Sequence, residues 1–224
     1  MKILICNSKN WFELDKKILN KCEVVNITDK DDLNQKILNK FKPDFIFFPH
    51  WNWVVSEKIF LNYKCIVFHT SPLPYGRGGS PIQNLIVQGY KEAPVCAIKM
   101  EKNLDSGPIY YKEIVSLSGS LFEILDRINV VVNNLIIRLI NNLPVPQPQI
   151  GEVVAFKRLG IKDNQININS KIEKFYDHIR MLDDNSYPSA YLILKNVVLH
   201  FDKIRKMKEE FECRVRISKR ADNE

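Results

Sequence analysis

Apolar residues along the first half of the chain fall into two patterns: short unbroken runs, and stripes at helical spacing. Lys2–Cys6, Glu23–Ile27, Phe45–Phe48 and Cys65–Phe68 read as strands, most of them buried runs. Glu13–Asn20 reads as a helix. Asp31–Phe41 carries Leu33, Ile37, Leu38 and Phe41 on one helical face until Pro43-Asp44 breaks it. A further helix spans Ile82–Gln88, with Ser80 as N-cap, Pro81 at its first position and Gly89 as its stop. Val95–Met100 and Ile109–Val115 are strand-like. Ser120-Leu121-Phe122-Glu123 is a capping box that opens a long helix, with Ile124, Ile128, Val132, Leu135 and Leu139 along its apolar stripe. Strands alternating with helices predict an α/β fold, a parallel-rich sheet with helices on both faces.

Leu143–Gln149 is too rich in proline to extend that helix and reads as an extended connector. After it come a helix over Ile172–Leu182 and the strands Ala190–Leu194, Val197–Asp202 and Cys213–Ile217, expected to be antiparallel. Two regions follow: a catalytic domain over residues 1–150, and a small α+β portion over 151–224 that selects the substrate or mediates dimerisation.

The chain has 224 residues, 45% apolar and 26% charged, the balance of an ordinary globular protein. No apolar run nears the roughly 18 residues of a membrane span, so no membrane partner is expected. The first apolar stretch is too short for a signal peptide. Five scattered cysteines (Cys6, Cys22, Cys65, Cys96, Cys213) lack metal-ligand spacing and suggest free thiols in a reducing compartment, with the cytoplasm as the expected location. The formal charge of +7 suits an anionic partner, and much of the excess lies near the end, from Lys203 to Arg220. A solvated basic surface explains it equally well.

Chemistry in an α/β sheet gathers at the carboxyl ends of the strands. His50 and His69 each follow a strand run, and Asp105 lies in the loop between two more strands. His178 and His200, placed in a helix and a strand, read as structural. His69 leads into Pro72-Leu73-Pro74 and then Gly76-Arg77-Gly78-Gly79, where most of the glycines in the first half of the chain sit, before a capped helix. Glycines there let backbone come close to a ligand or adopt positive φ. Leu104-Asp105-Ser106-Gly107 completes the pattern.

The stretch from Val67 to Ile109 resembles the catalytic core of the formyltransferases that use N10-formyltetrahydrofolate, a family with methionyl-tRNA, glycinamide ribonucleotide and nucleotide-sugar members. The resemblance implies a Rossmann-like domain, a catalytic trio of Asn, His and Asp, N10-formyltetrahydrofolate as donor with tetrahydrofolate as product, and no metal. His69 matches the histidine, implying a general base for the attacking amine. Asp105 matches the aspartate that sets the ring's tautomer or relays protons. The oxyanion-stabilising asparagine does not match, since Val67 holds its place and has no donor. Asn52 is the side chain best placed to substitute, against a plain loop-capping role.

His50, Trp51 and Trp53 correspond to the loop that walls the pterin, although burial of the indoles in the core explains their alternation too. Met100, Asn103 and Leu104 match a second pterin-facing loop, and Ser71 is grouped with these folate-binding residues. Arg77 and Gly78 would bind a phosphate or carboxylate, with Arg77 bonding to its own loop as the competing reading. Segments containing Lys157, Arg158 and Tyr187 resemble the nucleotide-sugar enzymes more than the tRNA ones, and the chain is short for the latter. The expected acceptor is therefore a nucleotide-linked amino sugar, such as a UDP-linked 4-amino-4,6-dideoxy sugar of the pseudaminic acid branch, with no nucleic-acid partner. A homodimer is considered because C-terminal strand edges are exposed. The alternatives are a folate or nucleotide-sugar binding protein with impaired catalysis, motivated by Val67, and a methionyl-tRNA formyltransferase using the basic C-terminus.

Overall fold

The computed structural model describes residues 1–208 and 210–220; residues 209 and 221–224, part of the expected C-terminal region, lie outside them. Along the chain, β1 (Lys2–Asn7), α1 (Lys16–Leu19), β2 (Glu23–Ile27), α2 (Gln35–Phe41), β3 (Phe45–His50), α3 (Glu57–Phe60) and β4 (Cys65–Thr70) alternate as the periodicity predicts. β5 (Tyr75–Gly78), α4 (Pro81–Val87), β6 (Glu92–Lys99), β7 (Ile109–Ser116) and α5 (Leu121–Asn141) follow. Beyond the connector come β8 (Val154–Phe156), α6 (Ile172–Arg180), β9 (Ala190–Leu194), β10 (Val197–Lys206) and β11 (Phe211–Lys219).

The main sheet runs β2-β1-β3-β4-β6-β7. Its first four strands are parallel, and β6 and β7 join antiparallel. Successive side chains point to opposite faces. Ile3, Ile5, Phe47 and Ile66 pack with Ile18 of α1, Leu85 of α4 and the α5 stripe. Leu4, Cys6, Ile46 and Cys65 pack with Leu38 of α2 and Ile59 of α3. Helices on both faces explain why the strand runs are apolar without a break. A separate antiparallel sheet, β11-β10-β9, forms in the C-terminal region.

Three local expectations change. The first helix is shorter than Glu13–Asn20 because the amides of Glu13 and Asp15 donate to Asn129 and Asn133 of α5, at 3.0 and 2.8 Å. Ser80 does not cap α4: its φ is +48°, and its hydroxyl accepts from the Leu159 amide instead, at 3.1 Å. The pairing of β5 with β8, invisible in short glycine- and proline-rich segments, brings the chain beyond the connector back onto the glycine loop.

The C-terminal sheet is tied down by polar groups. The Asp183 carboxylate accepts from the amides of Lys203 and Ile204 at 2.8 and 3.0 Å, and its carbonyl accepts from Phe122 at the start of α5. Nearby, buried Arg180 pairs with Asp177 at 2.7 Å and donates to the carbonyls of Leu117 and Gly119. The capping box at Ser120 is present, with Glu123 Oε2 accepting from the Ser120 amide at 2.8 Å. Replacing Ser120 with Ala is expected to cost about 1 kcal/mol, read as a lower urea midpoint at unchanged slope. No change would show that Glu123 alone suffices.

Candidate active site

A cleft of about 740 Å³ opens at the carboxyl ends of β1, β3 and β4, within the range of small-molecule sites. The loop after β3 supplies one wall. Trp51 packs edge-on against Phe48 and Trp53, with ring centroids 6.0 and 4.8 Å apart, so both indoles line the cleft and Trp51 also leans on the core. Met100 and Leu104 line the facing side. Leu104 is 73% exposed and Val54 fully exposed, which leaves an apolar surface with no protein partner.

His69 and Asp105 meet. His69 Nδ1 lies 3.5 Å from Asp105 Oδ2, and both side chains are more than nine-tenths buried. The Gly76 carbonyl, 2.7 Å from His69 Nε2, can only accept, so Nε2 carries a hydrogen. Asp105 Oδ2 also accepts from the Gly78 amide at 2.9 Å. The family resemblance implied His69 as the base, with Asp105 setting its tautomer or relaying protons. In the structure Asp105 lines the cleft, and the ring lies beneath the glycine turn.

Val67, on the same face of β4 as His69, lines the cleft and offers only methyl groups. Asn52 also lines it, and its Oδ1 accepts from Arg158 Nη1 at 3.3 Å. This contact crosses from the β3 loop to the segment after β8 and turns the Asn52 amide nitrogen away from Arg158. His50 bonds to the Ser8 hydroxyl at 3.0 Å. Burial, with Lys9 and Arg158 close by, pushes its pKa down to about 4, so it stands in the cleft as a neutral ring.

Several predicted side chains lie elsewhere. Ser71 is fully buried outside the cleft, its hydroxyl without a protein partner, because it sits under the turn where Gly76 packs on it. Arg77 is no anion clamp: its Nε and Nη2 donate to Gln149 Oε1 at 3.0 and 2.7 Å, outside the cleft lining. Lys157 is exposed and pairs with Asp163 at 3.3 Å. Asn103 is exposed outside the lining, and its carbonyl accepts from Ser106. Gly78, Arg158 and Tyr187 do line the cleft, with the Lys9 ammonium 4.6 Å from the Tyr187 ring centre.

Sequence reasoning missed Lys9, Trp11 and Gln83 in the lining. Lys9 and Trp11 follow β1, so the strand-end rule that singled out His50 applies to them equally. Gln83 is 4% exposed, and its side chain faces the Tyr187 phenol. Only its place in the first turn of the helix after the glycine loop signals it.

The formyl transferase family model matches residues 3–124, and a model of the methionyl-tRNA formyltransferase C-terminal domain matches residues 161–218. A solved structure of methionyl-tRNA formyltransferase from Clostridium thermocellum is 36% identical with a TM-score of 0.91, covering 98% of this chain and 99% of that one. Methionyl-tRNA formyltransferase of Thermodesulfovibrio yellowstonii is 29% identical over 175 residues, 75% of this chain; the match spans only 56% of that relative's length. A 4-N formyltransferase from Francisella tularensis shares the fold at 16% identity and a TM-score of 0.61. These findings overturn the expected nucleotide-linked amino sugar and the expectation of no nucleic-acid partner. Of the segments that suggested a sugar enzyme, the one at Lys157 just precedes the region matching the methionyl-tRNA C-terminal model and the one around Tyr187 falls within it. Length is no objection either, because the Clostridium protein is matched almost end to end. With more than half its length under one family model, the chain belongs to the formyl transferase family.

Proposed function

We propose that this chain transfers the formyl group of N10-formyltetrahydrofolate to the amine of a methionyl-tRNA. The observation that carries this reading is the likeness to the Clostridium thermocellum methionyl-tRNA formyltransferase, which takes in the C-terminal sheet as well as the cleft. The bound donor supplies an electrophilic formyl carbon. Trp51, Trp53, Met100 and Leu104 offer the flat, partly open apolar wall that suits a pterin. An attacking amine must lose a proton. Asp105 at the cleft surface takes it and gives a proton to the tetrahydrofolate nitrogen as its bond to the formyl carbon breaks, with His69 Nδ1 behind as the second member of the pair and the Gly78 amide steadying the carboxylate. Asn52 provides the amide donor that Val67 lacks, oriented by Arg158.

The acceptor's phosphates call for cations. Lys203, Arg205, Lys206, Lys208 and Lys219 stand exposed on the β10–β11 hairpin. Arg214 and Arg216 share Asp202, whose pKa the Arg214 guanidinium lowers first of all, so these two add less net charge. Neutralising RNA phosphates releases counterions and makes binding fall steeply with salt.

Asp105→Asn and His69→Asn are each expected to lower kcat by about 10²- to 10⁴-fold, with melting temperature near that of the unaltered chain. Full activity in either would remove the pair from the mechanism. Asn52→Leu should reduce kcat by about 10²-fold, whereas an unchanged rate would assign the oxyanion donor elsewhere. Mass analysis of methionyl-tRNA after incubation with the donor should show one added formyl group. Reversing Arg205 and Lys206 to Glu should weaken tRNA binding and flatten its salt dependence. An unmodified aminoacyl-tRNA would refute this acceptor.

A further inference from the structure

We infer that Gln149, at the end of the proline-rich connector, is a positioning residue that holds Asp105 in register with His69, and that Arg77 sets its orientation. The inference rests on the reading of the Asp105–His69 pair given above.

Asp105 has φ +51°, a backbone region that side-chain-bearing residues rarely adopt, so surrounding contacts must impose it. Its loop has no slack on the other side: a Cβ on Gly107 would lie 1.7 Å from the Lys99 carbonyl oxygen. Gln149 supplies the constraint. Its Nε2 donates to the carbonyls of Asp105 and Gly107, both at 2.8 Å, which uses both amide hydrogens. Its Oε1 accepts from Arg77 Nε and Nη2 at 3.0 and 2.7 Å. Arginine has no acceptor, so the amide cannot turn over without setting donors against donors and oxygen against two carbonyls.

Arg77 belongs to β5, next to Gly78, whose amide holds the Asp105 carboxylate. The backbone of Asp105, through Gln149, and its carboxylate, through Gly78, are thus fastened to the same short strand. The connector is itself pinned, because Gln147 and Ile109 exchange backbone hydrogen bonds at 2.7 and 2.9 Å. Without the Gln149 amide the two loop carbonyls lose their donor, the peptide at Asp105 is free to relax, and the carboxylate swings relative to Nδ1. A displacement of about 1 Å at reacting groups can cost about 10²-fold in rate.

The test compares Gln149→Leu and Gln149→Glu with Asp105→Asn, measuring kcat, the KM for N10-formyltetrahydrofolate, melting temperature and the imidazole nitrogen resonances of His69. Gln149→Glu keeps the shape and an acceptor for Arg77 but loses the donors. Both Gln149 variants should lower kcat by about 10²-fold with the donor KM within about threefold. Gln149→Leu should shift the His69 resonances in the same direction as Asp105→Asn. The double variant Asp105→Asn, Gln149→Leu should be no slower than Asp105→Asn alone, since one group acts through the other. Should Gln149→Leu fail to fold, Gln149→Glu and Arg77→Met decide, the latter with a smaller loss in the same direction. Near-native kcat with only a lowered melting temperature, or unshifted His69 resonances, alongside an inactive Asp105→Asn, would overturn the positioning role. A fully active Asp105→Asn would instead overturn the reading on which it rests.

Discussion

The hydrogen bond from the Gly78 amide to Asp105 Oδ2, 2.9 Å long, joins β5 to the loop after β6, and the rest of the site is arranged around it. It exists because β5 is held in place, and β5 is a strand only through its partner β8. That pairing demands close approach. A Cβ on Gly79 would lie 2.4 Å from the Arg158 Cβ, so the glycine cluster serves the chain's own backbone before any ligand. The residues that build the cleft therefore come from both sides of the connector, and the same return that shapes the glycine turn delivers Arg158 to Asn52.

Two unlike surfaces result. Indoles, Met100 and Leu104 make one apolar wall, and the neutral His50 beside Lys9 and Arg158 makes a polar one. Burial is the main cause of the neutral ring; the two cations add to it. Meanwhile Lys203, Arg205, Lys206 and Lys219 stand exposed on a separate sheet, on β10 and β11.

Much of the fold was legible. Lys2–Cys6, Phe45–Phe48 and the Ser120 capping box announce themselves because burial on both faces, or a local hydrogen-bond pair, leaves a mark in adjacent residues. The meeting of His69 with Asp105 was legible only through family resemblance, as nothing local links positions so far apart. β5, β8 and the roles of Arg77 and Ser71 were not legible. Arg77 and Ser80 depend on partners from distant segments, Gln149 and Leu159, and Ser71 is covered by a turn whose shape the β5–β8 pairing fixes. The acceptor was misread for a related reason. Short stretches such as Phe156–Arg158 carry little information about what an assembled C-terminal sheet contacts.

Asp183 joins three elements with one side chain and one carbonyl, receiving two amides of β10 and one of α5. Peeling β10 away from this segment would strand the carboxylate and two β10 amides together, a cost comparable to several lost contacts. The two sheets also share one apolar core, in which Ala190, Leu192, Phe201 and Ile204 pack in the same cluster as Phe47, Ile66 and Val95 of the main sheet.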